Sequence, residues 1–298
     1  MDAALPTWKD ERMSEPTSNW TTDPTPLLRA GEGFRLGEVD PESTPGYDGD
    51  KESGKKDLEA LSTELSDLQE RLFAAHHDEE SGPAVLLVLQ AMDTAGKGGI
   101  VRHVVGAVDP QGVELAAFKK PTDEELAHDF LWRIRPRVPG PGMIGVFDRS
   151  HYEDVLIGRV RELADGAEID RRYSAINDFE AELAAAGVHI VKVMLHISPD
   201  EQKERLAERL DRADKHWKYN PGDVDERLLW PDYMDAYQAV FDHTSTEAAP
   251  WFVVPANRKW YARLAVQRLL FDVLKDIDPQ WPAADFDVEV EKKRLAES

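Results

Sequence analysis

One stretch of this chain could do recognisable chemistry. Gln90-Ala-Met-Asp93-Thr94-Ala95-Gly96-Lys97-Gly98-Gly99 follows the apolar run Ala84 to Leu89 and precedes a helix-forming Val101-Arg-His-Val-Val. A strand, a glycine turn and a helix start in that order aim unpaired backbone N–H groups at one point, and Lys97 adds a full positive charge. That combination selects phosphate, with the backbone of Thr94, Ala95, Gly96, Gly98 and Gly99 as its cradle. The usual phosphate-loop pattern has Gly where Ala91 stands and Ser or Thr where Gly98 stands. Without a hydroxyl after Lys97 the ordinary magnesium ligand is gone, and Asp93 is the candidate to hold the metal instead. The alternative reading is a glycine-rich turn with a chance lysine.

Further charged positions follow other apolar runs. Met143-Ile-Gly-Val-Phe147 ends in Asp148-Arg149-Ser150. A carboxylate there can reach a metal directly or through water, which makes Asp148 a second metal candidate and puts Arg149 at the site mouth. The same Asp148 could simply cap the helix expected from His151. Arg205, Arg209 and Arg212 recur at i, i+4 and i+7, one helical face, and Lys203 to Lys218 holds six basic and four acidic residues. Such a helix can close as a lid over transferring phosphates, or be a solvated helix paired with Glu201, Glu204 and Glu208. Lys119 and Lys120 fall at the carboxyl end of the second run, the edge where open α/β sheets bind ligands. Arg133, Arg135 and Arg137 beside Trp132 are further basic positions, and plain surface is the alternative for each. His103, in the helix after the loop, reads as packed or surface.

The elements that must position these groups are legible as a rhythm. Five short apolar runs, Ala84 to Leu89, Val113 to Phe118, Met143 to Phe147, Val188 to Ile197 and Trp251 to Val254, predict five parallel strands buried on both faces. Helical patterns lie between them at 97–108, 122–133, 151–160, 170–186, 199–210, 223–241 and 258–277, and Leu58 to His76 forms an amphipathic helix ahead of them. The expected class is α/β, a parallel sheet flanked by helices on both faces. Residues 1–56, rich in Pro, Gly, Ser, Thr and Asp, predict a flexible acidic arm, which could still pack on the domain or on another subunit. The domain is expected over 57–279 with its lid at about 199–222, and a tail over 280–298.

Composition sets outer limits. The 298 residues carry 36 Lys+Arg against 58 Asp+Glu, a formal charge of -22. That balance argues against coating nucleic acid or an anionic membrane, which need a basic footprint. The chain has no cysteine, which removes thiolate catalysis and cysteine metal sites. Met1 to Trp20 has no apolar h-region, so a cytoplasmic protein is expected.

The ordered motifs resemble the family-2 polyphosphate kinases, P-loop enzymes that move phosphoryl groups between inorganic polyphosphate and nucleotides. The resemblance runs from about Leu58 to Pro279. It includes Gln90-Ala-Met-Asp93 with Ala95-Gly-Lys-Gly-Gly99, Asp109-Pro-Gln-Gly112, Phe118-Lys-Lys-Pro-Thr122 and His128-Asp-Phe-Leu-Trp132-Arg133. It continues through Gly145-Val-Phe-Asp-Arg-Ser150 with Tyr152-Glu-Asp-Val155, Lys215-His-Trp-Lys-Tyr-Asn-Pro-Gly222, and Ala249-Pro-Trp-Phe-Val-Val-Pro255 with Arg258-Lys-Trp260. It implies a P-loop kinase fold with a helical lid. It also implies Asp93, Lys97 and Asp148 as the phosphate and Mg²⁺ (or Mn²⁺) centre, with Arg149, Arg205 and Arg209 steadying the transferred group. Lys119, Lys120, Arg133, Arg212, Lys215 and Lys218 would line a polyphosphate channel, and Glu153 and Asp154 would help bind an adenine or guanine nucleotide. The block His151-Tyr-Glu153-Asp154 is most similar to the branch accepting both nucleoside mono- and diphosphates. The branch restricted to diphosphates is close behind, and Asp148 stands where both branches are expected to carry Asn, which leaves AMP against ADP open. A homo-oligomer, dimer or tetramer, is also implied.

An acceptor nucleotide already carries ionised phosphate oxygens, so in-line transfer needs positioning and charge neutralisation more than a general base. Two other readings fit the loop: an ATP-dependent nucleotide kinase of thymidylate-kinase-like fold, and a non-enzymatic domain binding nucleotide or polyphosphate. The polyphosphate reading requires Lys97, Lys119, Arg149 and Arg209 to converge on one cleft.

Overall fold

The computed structural model describes residues 19–76 and 78–298. Its strands are β1 (Ala84–Ala91), β2 (Val113–Ala117), β3 (Ile144–Asp148), β4 (Val188–His196) and β5 (Trp251–Pro255), forming one parallel sheet in the order β2-β3-β1-β4-β5. Each lies within two residues of its apolar run. The helices of the first half are α1 (Pro24–Leu28), α2 (Lys51–His76), α3 (Lys97–His103), α4 (Asp123–Leu126) and α5 (Glu153–Val160). The second half adds α6 (Gly166–Ala185), α7 (Pro199–Asp211), α8 (Gly222–Arg227), α9 (Trp230–Thr244), α10 (Lys259–Ile277) and α11 (Val288–Ala296).

Successive side chains of a strand point to opposite faces, so a continuous apolar run fills two cores at once. Val85, Leu87 and Leu89 of β1 pack with residues of α2, α3 and α10, while Leu86 and Val88 pack with residues of α5, α6 and α9. The expected α/β architecture with helices on both faces is the one observed. Among the described residues no helix is long and apolar enough to cross a membrane.

The arm expected over 1–56 is corrected where it is described; residues 1–18 lie outside the described residues. Leu28, Ala30, Leu36 and Tyr47 are buried in the two cores. The Ala30 N–H donates to the Trp251 carbonyl at 2.8 Å, and Arg29 bridges Phe252, so this segment covers the β5 edge of the sheet. Turn-rich composition marked irregular chain correctly but says nothing about docking. The amphipathic helix expected from Leu58, α2, starts at Lys51, because Asp50 caps it through the N–H groups of Glu52 and Ser53 at 3.0 and 2.8 Å. Gly54, which looked like loop, lies under Trp260, whose ring a Cβ would meet at 2.4 Å. In the C-terminal tail, α11 forms with no buried residue.

Three other helices are shorter than their patterns. The one expected over 97–108 ends at His103, after which Val105–Ala107 forms a separate 3-10 turn. The helix expected over 122–133 stops at Leu126, and Asp129 turns the chain by accepting from the Leu131 N–H at 3.1 Å. The one expected over 223–241 breaks between α8 and α9, where Pro231 in the first turn of α9 has no N–H to continue a ladder.

His196, the last residue of β4, is buried against this N-terminal segment. Burial pushes its imidazole down to about 4, and a hydrogen bond with the Val39 backbone opposes only part of that shift. The unfolded chain protonates this side chain near its ordinary 6.5, so between that pH and about 4 the unfolded state binds more protons and stability falls as pH drops. The expected loss is about 3 kcal/mol. Urea denaturation of wild type and His196→Gln at pH 7 and pH 4 checks it: the wild type should lose that much more than the variant, and parallel losses would clear His196 of the effect.

Candidate active site

The loop between β1 and α3 is shaped by backbone conformations that few side chains adopt. Gly96, at the start of α3, has φ +123°, and Thr94 sits in the left-handed region at +68°. Lys97 folds back over the loop, its Nζ donating to the Ala91 carbonyl at 3.3 Å. Parallel pairing sets Leu89 beside Asp148, so the end of β3 delivers Asp148 to the loop's root. The next residue, Arg149, is also left-handed at φ +64°. Its guanidinium lies 3.0 Å from Asp93 Oδ1 and 3.6 Å from Glu153 Oε2. Burial draws the Arg149 pKa down, but Glu153 and Asp93 outweigh it and keep the group charged. Burial raises Glu153 above the ordinary carboxylate range, with Arg149 and Lys97 opposing.

This turn rests on a buried polar network. Gln90, with its amide oriented to satisfy both ends, donates to Glu153 Oε1 at 2.9 Å and accepts from the Ser150 N–H and hydroxyl at 3.2 and 3.0 Å. Beneath it the Lys192 ammonium donates to Glu180 at 2.6 Å, to the Tyr152 hydroxyl at 2.8 Å and to the Thr244 carbonyl at 2.7 Å. Burial works against both charges; Lys192 nevertheless holds Glu180 below the usual carboxylate range.

Two clefts open at the carboxyl edge of the sheet, and Asp93 and Arg149 border both. The larger contains the phosphate loop from Thr94 to Gly99, together with Asp148 and Arg209. It is lined by nine of the described Lys and Arg residues and by three carboxylates. Lys97, Arg149 and Arg209 therefore converge as required. Lys119 does not, so the convergence expected of all four holds for three. It and Lys120 are exposed at the end of the edge strand β2, away from this cleft, and the polyphosphate reading rests on the other three with the cations that join them there. Lys215 and Lys218 line the cleft, whereas Arg212 pairs with Glu208 and Asp214 at 3.0 and 2.9 Å on the surface. Arg133 and Asp154 are also displaced from their expected roles. They face each other at 3.6 Å, with Arg133 donating to the Lys119 carbonyl at 2.8 Å and Asp154 flanked by Arg172.

The lid helix differs from expectation at one arginine. Arg209 donates to the Lys218 carbonyl at 2.9 Å and pairs with Asp223 at 3.3 Å, contacts an anion could replace. Arg205 is buried and its guanidinium is occupied by backbone carbonyls and Glu201, so it has no donor left for a transferring group.

Sequence reasoning missed four basic residues of the larger cleft. Arg102 and His103 come from α3, and Lys259 and Arg263 from α10; the Arg263 guanidinium lies close to Gly99. His103 is thus a cleft residue, its pKa lowered by burial and by Arg263 and Arg102. Arg258-Lys-Trp260 stood out as a motif, but nothing local shows that α10 starts beside the loop. The smaller cleft was missed altogether. Leu156, Ile157, Tyr233 and Tyr237 give it apolar and aromatic walls, and Asn220, Asp223 and Glu226 line it as polar groups. Glu226 is held by Arg161 at 2.7 Å and by the Tyr233 hydroxyl at 2.5 Å.

A cleft so loaded with cations around a phosphate loop can hold a run of phosphates. The family model for polyphosphate kinase 2 matches residues 48–282. The chain belongs to the polyphosphate kinase 2 family. Within that family it is 45% identical over 249 residues to the AMP/ADP-polyphosphate phosphotransferase of Meiothermus ruber, covering 84% of this chain and 91% of the relative. It is 40% identical to the ADP-polyphosphate phosphotransferase of Rhodopseudomonas palustris, covering 87% and 92%. The crystal structure of polyphosphate kinase 2 from Arthrobacter aurescens TC1 superimposes with a TM-score of 0.91 at 61% identity, covering 94% of this chain and 98% of that one. The P-loop kinase fold of this family is therefore the fold described above.

Kinases of this kind use a divalent metal. Among the described residues no three His, Asp or Glu side chains group as a metal cage. Asp93 and Asp148 at the loop offer two carboxylates, which suits a hard cation that takes its remaining ligands from phosphate and water.

The buried Lys192–Glu180 pair gives a stability test. Lys192→Met should cost about 3–5 kcal/mol by stranding the Glu180 charge, and adding Glu180→Gln should restore part of it. Equal denaturation midpoints for wild type and Lys192→Met would show that the pair carries no such burden.

Proposed function

We propose that this protein transfers a phosphoryl group, in either direction, between inorganic polyphosphate and an adenine or guanine nucleotide, with AMP and ADP as acceptors and Mg²⁺ (or Mn²⁺) as the metal. The observation that carries the reading is the lining of the larger cleft. A nucleotide donor needs a platform for its base, yet among the described residues no Phe, Tyr or Trp lines this cleft, while nine Lys and Arg residues do. That suits a donor made of phosphates alone and disfavours ATP. The smaller cleft, with Tyr233, Tyr237, Leu156 and Ile157, suits the nucleoside of the acceptor.

In this reading the two clefts bring acceptor phosphate and chain end together at Asp93 and Arg149. Lys97, Arg149 and Arg209 offset the repulsion between two anions, and the loop N–H groups hold the transferring phosphate. Mg²⁺ on Asp93 and Asp148 would neutralise further phosphate charge and orient the oxygens. No side chain must remove a proton, since the attacking phosphate oxygen is already ionised. Closure of the far end of α7, which carries Arg209, and of the segment after it would exclude water from the transferred group.

Purified protein given long-chain polyphosphate, Mg²⁺ and ADP or AMP should form ATP or ADP, and Lys97→Ala should abolish this while the protein stays folded. Binding without turnover would favour the non-enzymatic reading, and turnover only with ATP as donor would favour the ordinary kinase. The cleft assignment is separable: Lys259→Ala should raise KM for polyphosphate about tenfold with little change in KM for ADP, and Tyr237→Ala the reverse. Equal changes in both constants would undo it.

A further inference from the structure

Helix α7 reaches the phosphate loop through two side chains one turn apart. Gln202 Nε2 donates to the Asp93 carbonyl at 3.1 Å, and Arg205 Nη1 to the carbonyls of Thr94 and Ala95 at 3.0 and 2.8 Å. Three consecutive loop carbonyls are thus held from behind. Arg205 also donates from Nη2 to Ala256 and Asn257 at 2.6 and 3.0 Å, and from Nε to Glu201 at 2.6 Å. A guanidinium has five N–H donors, and all are engaged. Gln202 is itself oriented, its oxygen accepting from Arg227 at 3.2 Å.

We propose that Arg205 and Gln202 are positioning residues that hold the phosphate loop in its anion-binding shape before any ligand arrives. Fixing the carbonyls of Asp93 to Ala95 on one side leaves the following N–H groups to face the cleft, and stabilises the left-handed Thr94 that the turn requires. The same guanidinium ties the loop to the end of β5 and the start of α10, so the spacing between Lys97 and the Lys259–Arg263 wall depends on it. The loop is preorganised for binding without Arg205 touching the anion. The planar fork makes this role specific to arginine, since lysine keeps the charge but cannot serve four carbonyls at once.

The proposal rests on the polyphosphate reading, and its test separates the two. Binding of inorganic polyphosphate, without nucleotide, is measured at several salt concentrations for wild type, Arg205→Lys, Gln202→Leu and Lys259→Ala. Arg205→Lys and Gln202→Leu should bind about tenfold and several-fold more weakly, with the salt slope of wild type, because no phosphate contact is lost. Lys259→Ala should instead reduce the slope by about one. Hydrogen exchange of the free proteins should be faster at Thr94 to Gly99 in both α7 variants and unchanged in β1 and β4, a pattern that general destabilisation would not give. Wild-type affinity in Gln202→Leu, a reduced slope in either α7 variant, or unchanged loop exchange would each overturn the proposal. If wild type binds no polyphosphate, the substrate reading falls and the exchange data alone decide the clamp.

Discussion

A loop that turns its backbone N–H groups toward an anion must find partners for the carbonyls it turns away. Much of this structure can be read as the answer to that constraint. The carbonyls of Asp93, Thr94 and Ala95 are met by Gln202 and Arg205, which fixes the register of α7 against the loop. The start of α7 is fixed in turn, because the Ser198 N–H donates to Asn257 at 2.9 Å and Asn257 donates back to the Ser198 hydroxyl at 3.1 Å. Asn257 and Arg258 also reach Glu42, and the Asn257 N–H reaches the Pro41 carbonyl. The N-terminal segment is therefore part of the frame behind the site.

Net charge is a poor guide to a site built this way. A chain at -22 repels a polyanion at long range, but a cleft lined with fixed cations focuses an opposite field over a short distance. Not all of those cations are equal. Arg133 and Arg212 stand outside the cleft, each paired with carboxylates, and Arg205 is spent on carbonyls. Lys97, Lys259 and Arg263 stand on elements that converge from opposite sides of the loop. Burial first, and then neighbouring Arg205 and Arg263, push the Lys259 ammonium below its ordinary range against Glu208 and Glu201, a strain that a bound anion would relieve.

What the sequence made legible was local. Five apolar runs marked five strands, and Gly96-Lys97-Gly98-Gly99 after the first marked the loop, because strand burial and glycine turns leave signatures within a few residues. The basic stripe from Lys203 to Lys218 was visible as spacing and charge, the resemblance of ordered motif blocks gave it a role, and its Arg209, Lys215 and Lys218 do line the cleft. Contacts between distant segments left no such mark. Arg205 and Arg209 look alike on a helical face, yet one meets the Thr94 carbonyl and the other Asp223. Lys119 stands at the end of an edge strand, and β2 is two strands away from the loop that follows β1. Tyr233 and Tyr237 carry ordinary core spacing in α9; only the position of α9 against α5 makes them one wall of a cleft.

The boundary between the clefts explains why Arg149 occupies an unfavourable backbone conformation. A non-glycine residue held left-handed costs on the order of 1 kcal/mol, so the turn persists only where its neighbours over-determine it. The Arg149 N–H bonds the Leu89 carbonyl at 3.1 Å, and Ser150 is gripped by Gln90, which leaves the chain little choice. The gain is direction: the guanidinium emerges between Asp93 and Glu153, on the line where donor and acceptor phosphates would meet in the proposed reaction. Before substrate binds, those carboxylates keep it charged and in place. Once phosphates arrive they compete for the same donors, so the ion pairs that order the empty site are also the ones that binding must exchange.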